Sequence, residues 1–186
     1  MAAGDLVSLQ DVELWLNIKA ANADESILPR LITAASRYIE AWLSRIIAST
    51  VFSESRNGPG GASMLFADYP VTAISSLSVG GVNIPASPDG IQAGYVFDVR
   101  AIYLIGYIFA PGFQNVKITY TAGYTTIPSD LAQACIELVA LRYRERGRIG
   151  EVSKSIQGET ISYSQKDIPA SVSTILEQYK KRITVY

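Results

Sequence analysis

Along Tyr120-Thr-Ala-Gly-Tyr-Thr-Thr-Ile-Pro-Ser-Asp-Leu131 the spacing of apolar residues changes from two to about three and a half, so a strand must hand over to a helix within a few residues. Before the join, Val116, Ile118 and Tyr120 alternate with Lys117, Thr119 and Thr121, as in a strand with one buried face. Gly123 ends that run. Pro128 fixes the backbone ahead of Ser129, whose hydroxyl is placed to accept an early helical amide, and Asp130 sits where the helix dipole favours negative charge. Leu131, Ala134, Cys135, Leu138 and Leu141 then recur on one helical stripe, and Gly147 and Gly150 mark its end.

The same two textures divide the rest of the chain. In residues 1–50, Ser8 and Asp11 have the form of a cap ahead of Val12, Trp15, Leu16 and Ile18, a short helix ending near Lys19. A second helix, capped by Asn22 or Asp24, carries Leu28, Leu31, Ile32, Ala35, Ile39, Trp42, Leu43 and Ile46 on one stripe, with Pro29 tolerated in its first turns. Residues 51–126 break into short β-like runs. Asn57-Gly-Pro-Gly-Gly61 reads as a loop, Gly80-Gly81 as a hairpin turn, and Tyr95–Val99 and Ile102–Ile105 as strands. In residues 127–186, Ile149–Ser155 reads as a polar linker and Ile156–Tyr163 as a small hairpin around Gly158. Pro169 opens a last helix with Val172, Ile175, Leu176 and Tyr179 on its apolar face, and Ile183-Thr-Val-Tyr186 forms a β-prone tail. The expected fold class is α+β: a helical module of about four helices with an inserted, mostly antiparallel β module.

The chemistry of the chain is restricted by what it lacks. It has no histidine, which removes serine-histidine and cysteine-histidine nucleophiles and most zinc sites. Asp68, Asp89, Asp98 and Asp130 fall at turns, a strand and a helix start, without the pairing that acid-base work requires. Gly58-Pro-Gly-Gly61 lacks the Lys-Ser/Thr ending of a phosphate loop. Cys135 is alone on an apolar stripe and reads as a small buried thiol. No catalytic residue, metal or cofactor is expected. No basic segment precedes an apolar run at the N-terminus, and Arg37, Glu40 and Arg45 interrupt the most apolar helix. Neither a signal peptide nor a membrane span is expected, and the chain should stay in a cytosol-like compartment or enter a particle assembled there.

Sixteen basic residues against seventeen acidic ones leave no global field for nucleic acid. Only residues 129–186, with nine basic and seven acidic side chains, are net positive. Arg142, Arg144, Arg146 and Arg148 crowd the end of the third helix, but a turn of about 100° per residue spreads them around it. They read either as a solvated, dipole-compatible helix end or as an interface patch facing another subunit or nucleic acid.

The order of these segments resembles the head-tail connector (adaptor, or head completion) proteins of tailed bacteriophages and gene transfer agents. The resemblance rests on the opening Leu6-Val-Ser-Leu-Gln-Asp-Val12, on Leu31-Ile-Thr-Ala-Ala-Ser-Arg-Tyr-Ile-Glu40, on Tyr120-Thr-Ala-Gly-Tyr124 with Ile127-Pro-Ser-Asp-Leu131, and on Gly158-Glu-Thr-Ile-Ser-Tyr163. It implies a structural virion protein at the head-tail interface, assembled in the host cytoplasm as a ring of usually twelve copies beneath the portal. It further implies contact with a downstream neck or tail protein, and double-stranded DNA passing through the bore without sequence-specific binding. Residues Tyr179, Lys180, Lys181, Arg182, Ile183, Val185 and Tyr186 would then grip the portal, and Arg142, Arg144, Arg146 and Arg148 would face a neighbouring subunit or the channel. Residues 51–126 depart from the compact, nearly all-helical members. Two other readings stay open, a stand-alone binding module and a helix-turn-helix DNA-binding protein built on residues 8–47, although the second helix offers few Arg, Asn or Gln side chains for base edges.

Overall fold

The computed structural model describes residues 4–18, 27–147, 153–156, 159–162 and 168–180. In chain order the elements are α1 (Leu9–Leu16), α2 (Leu28–Leu43), β1 (Thr50–Gly58), β2 (Ser63–Leu65), β3 (Val71–Val79), β4 (Val82–Asn83), β5 (Gly94–Phe97), β6 (Ala101–Ile105), β7 (Gly112–Ala122), α3 (Ser129–Glu145), β8 (Ser153–Ile156), β9 (Glu159–Ser162) and α4 (Ala170–Tyr179). The fold is α+β with mostly antiparallel strands. Two compact units result, Met1–Ile47 with Ile127–Tyr186, and Ala48–Thr126.

In the helical unit α3 is central, packing on α1, α2 and α4. It is therefore buried on more than one stripe: Ile136, Val139 and Ala140 join Leu131, Ala134, Cys135 and Leu138 in the core, while Leu141 is only half-buried. On α2, Leu28, Ile32, Ala35, Ile39 and Leu43 are buried as their spacing predicts. Ile46 is not, because the helix stops in a left-handed Ser44 and the chain turns Ile47 inward instead; the Ile47 amide donates to the Glu40 carboxylate at 3.2 Å. The capping box of α1 forms, with the Asp11 amide donating to the Ser8 hydroxyl at 3.1 Å. Only Val12 of its apolar residues is buried, and Trp15 stands 50 % exposed.

Three local expectations are corrected. Ser129 is the first residue of α3 and makes no capping bond; Pro128 occupies the cap position, and Asp130 accepts the Leu131 amide at 2.9 Å in its place. The hairpin is longer on its first side than expected, since β8 begins at Ser153 inside the presumed linker and pairs with β9 from Ser153↔Ser162 to Ile156↔Glu159. Asn57 and Gly58, expected in a loop, are the end of β1. Asn22, Asp24, Gly158 and Tyr163 lie outside the described residues.

The β unit packs a four-stranded sheet, β1-β7-β3-β4, against a three-stranded one, β2-β6-β5. Val116, Ile118 and Tyr120 point into the shared core from β7, with Ile102 and Leu104 from β6 and Leu77 from β3. The Gly80-Gly81 hairpin joins β3 to β4 as its sequence predicts. Chain entry and exit share one end of the unit, where Thr50 pairs with Ala122; at the other end Gly58 pairs with Gly112. Asn115 locks that far end. Its side chain accepts the Gly58 amide at 2.9 Å and donates to the Ala110 carbonyl at 2.7 Å, and its own carbonyl accepts the Gly80 amide at 2.8 Å.

Candidate functional site

Every described residue expected to act at an interface lies at or next to the end of a helix, α3 or α4. α4 ends at Tyr179, and its hydroxyl meets both oxygens of the Asp130 carboxylate, at 2.7 and 2.8 Å. That carboxylate belongs to the first turn of α3, so one side chain ties the start of α3 to the finish of α4. Lys180 stands with its Nζ 4.8 Å from the centre of the Trp42 ring on α2, a cation-π contact. Tyr179 and Lys180 are thus engaged within the helical unit. Lys181, Arg182, Ile183, Val185 and Tyr186 lie outside the described residues.

The arginines spread around α3 as the helical turn requires. Arg142 is half-buried, its guanidinium 5.3 Å from the Tyr38 ring centre on α2. Arg146 lies over its neighbour Tyr143 at 3.9 Å, and Arg144 is exposed. Arg148 lies outside the described residues. In Arg142 and Arg146 the guanidinium itself lies over the ring, a cation-π contact.

A polar chain buried in the same unit is structural. Ser36 accepts the Leu6 amide at 3.0 Å and lies 3.7 Å from the Cys135 sulfur. Burial pushes the Cys135 thiol up to about 11, so it stays protonated and unreactive at neutral pH. Among the described residues no group of three or more His, Cys, Asp and Glu is placed to hold a metal, and no helix is long and apolar enough to cross a membrane.

A second surface, which no local motif in the sequence marks, lies in the β unit. At the end far from chain entry and exit, an open groove of about 650 Å³ is lined by Val79, Val82, Ile84, Leu104, Tyr107 and Ile108, among others. Val82 and Ile108 on its rim are 58 % and 55 % exposed. The groove draws on three stretches without a single charged residue, 57–67, 69–88 and 101–116. That run of missing charges was the available signal, since a solvated sheet end ordinarily carries Lys, Glu or Asp.

The comparisons with known proteins agree with this architecture. No curated protein sequence matches the chain. Three solved assemblies contain chains of the same fold: the neck of an empty gene transfer agent (GTA) particle computed with C6 symmetry (TM-score 0.64, 20 % identity), the neck of the native particle computed with C12 symmetry (0.60, 19 %), and the virion of the native particle (0.61, 20 %). Each match covers 100 % of this chain and 94 % of the other. The family model for head completion proteins matches residues 5–182, nearly the whole chain. The chain, helical unit and β unit together, belongs to the head completion protein family.

Proposed function

We propose that this protein is a structural component of a virion neck, assembling as a ring of twelve copies below the portal, extending the DNA channel and joining the head to the neck or tail. The family match across residues 5–182 carries the reading. The likeness to chains from necks solved with C6 and C12 symmetry supports the ring. The chemistry of the chain is compatible with such a role: a conduit needs no catalytic group, and a near-neutral surface lets a genome slide past where a basic stripe would hold it.

Within this reading the tail after α4 docks on the portal. Tyr179 and Lys180 hold the end of α4 against Asp130 and Trp42, and Lys181, Arg182, Ile183, Val185 and Tyr186 supply the contact. Arg142, Arg144, Arg146 and Arg148 face a neighbouring copy or the channel, with DNA passing without sequence-specific contact. A further neck or tail protein binds the opposite side of the ring.

The test is a pull-down of the purified chain on a portal ring, followed by electron microscopy of the eluate, with a truncation lacking residues 181–186 in parallel. A collar on the portal's narrow end, lost in the truncated chain while its fold persists, is expected. No collar on a portal competent for another neck protein would overturn the reading; an unchanged collar from the truncated chain would overturn the tail's part in it.

A further inference from the structure

Asn57-Gly58 is the one place in the chain where an asparagine precedes a glycine; the other asparagines are followed by Ile18, Ala23, Ile84 and Val116. Where the following residue has no side chain, nothing shields its amide nitrogen, which can attack the asparagine carboxamide carbon and close a five-membered ring. That reaction is one source of the heat lability of asparagine. Branched Ile18, Ile84 and Val116 obstruct the same approach.

Both members of the pair have structural duties at the far end of the β unit. Gly58 passes so close to Ala110 that a Cβ would lie 1.9 Å from the carbonyl oxygen. The Asn57 side-chain oxygen accepts the Gln114 amide at 2.8 Å, and Gln114 there holds a left-handed φ of 48°. The contacts that call for a reactive pair also keep it from reacting. β1 is paired at Arg56↔Val116 and at Gly58↔Gly112, on either side of Asn57, so the backbone stays extended; ring closure requires it to rotate until the Gly58 nitrogen meets the side-chain carbon. The Gly58 amide proton is engaged by Asn115 Oδ1 at 2.9 Å, and the Asn57 carboxamide is held to β7 by its bond to Gln114. Asn57 is exposed, so these restraints, and not the exclusion of water, oppose the reaction.

We propose that Asn57 is a latent modification site: the closed far end of the β unit preserves it as asparagine, and each opening of that end exposes it to deamidation. A base in solvent takes the Gly58 amide proton, the nitrogen bonds to Asn57 Cγ, and the side-chain nitrogen leaves as ammonia with a proton from water. Water then opens the succinimide at one of its two carbonyls to give aspartate or isoaspartate, with no change of oxidation state. Either product puts a negative charge among stretches 57–67, 69–88 and 101–116, which otherwise carry none. Aspartate can still accept the Gln114 amide and let the end reclose. Isoaspartate routes the main chain through an extra carbon and breaks the β1–β7 register, so the opening becomes permanent. Because reclosing is fast against ring formation, the rate follows the open fraction.

The native chain, Asn115→Ala and a synthetic peptide of residues 53–62 are incubated in one mildly alkaline buffer, and peptide mapping by mass spectrometry follows conversion at Asn57. Asn57 in the native chain is expected to convert at least about tenfold more slowly than in the peptide, and Asn115→Ala, which loses both side-chain bonds of the lock, at least about tenfold faster than the native chain. Hydrogen exchange at the Gly58 amide of the native chain supplies a test that does not depend on the variant folding. The same N–H must be freed for both reactions, so deamidation should be protected, relative to the peptide, at least as strongly as exchange. Conversion of the native chain at the peptide's rate, or deamidation less protected than exchange, would overturn the proposal, because the reaction would then run within the closed end. A folded Asn115→Ala that converts no faster than the native chain would overturn it as well.

Discussion

Gly58→Ala should unlock the far end of the β unit at a cost of about 2–4 kcal/mol. A Cβ at Gly58 would lie 1.9 Å from the Ala110 carbonyl oxygen and 2.9 Å from its carbon. Carbon and oxygen come no closer than about 3.3 Å even in a C–H···O contact, so the two backbones must part by more than an ångström. The parting acts on the Asn115 lock: the bond from its side chain to Ala110 and the bond it accepts from the Gly58 amide cannot both survive. The one bond lost contributes about 1 kcal/mol net, and stranding its partly buried partner adds at most about 1–3 kcal/mol. Gly61→Ala is the matched control. Its nearest neighbour would be 3.9 Å away and its φ lies outside the left-handed region, so it should be neutral or stabilising by about 0.4–1 kcal/mol through the unfolded chain. Hydrogen exchange followed by mass spectrometry on β1 and β7 reads the opening free energy directly. Protection in Gly58→Ala within about 0.5 kcal/mol of Gly61→Ala would refute the claim that close approach, rather than loop flexibility, requires glycine at this position.

Two further outcomes follow from the buried polar groups. Tyr120→Phe removes a hydroxyl that donates to Glu54 and accepts the Asp68 amide at 3.2 Å; because Glu54 keeps some solvent and Arg56 at 3.9 Å, the loss should be about 1–2 kcal/mol in urea unfolding, and a change under about 0.5 kcal/mol would mean the hydroxyl does not tie β1 and β7 to the connection between β2 and β3. The Cys135 thiol, raised by burial to about 11, should resist an aromatic disulfide reagent at pH 8 until the chain is denatured; its contribution to stability is complete below pH 9 and is lost as the pH rises through about 11, and rapid labelling of the native chain at pH 8 would contradict its burial.

The elements themselves were legible wherever one face of a segment is buried and the other wet. Val116, Ile118 and Tyr120 declared a strand, and the β3–β4 hairpin was visible in two adjacent glycines. The helical face of α2 was equally plain from Leu28 to Leu43, and the order of segments was enough to suggest the family. The errors have a common cause. Ile46 was assigned to a stripe that ends three residues earlier, because helix termination depends on Ser44 adopting a left-handed conformation that no propensity requires. Ser129 was read as a cap although Pro128 takes that position, and the burial of Ile136, Val139 and Ala140 depends on how many neighbours surround α3.

The residues proposed for interfaces illustrate the same limit. The ends of α3 and α4 are visible in the sequence, but the contacts their side chains make are not: Asp130 lies 49 residues from Tyr179, and Trp42 is still farther from Lys180 in the chain. The groove was missed because its walls come from three separate stretches that periodicity treats one at a time. By itself the sequence determined the alternation of helical and β segments, the absence of histidine chemistry and the near-neutral charge, since these depend on composition and local spacing alone. The tertiary structure decided which faces were covered, which side chains were tied down and where apolar surface remained, because burial and pairing depend on neighbours that the chain brings together only by folding.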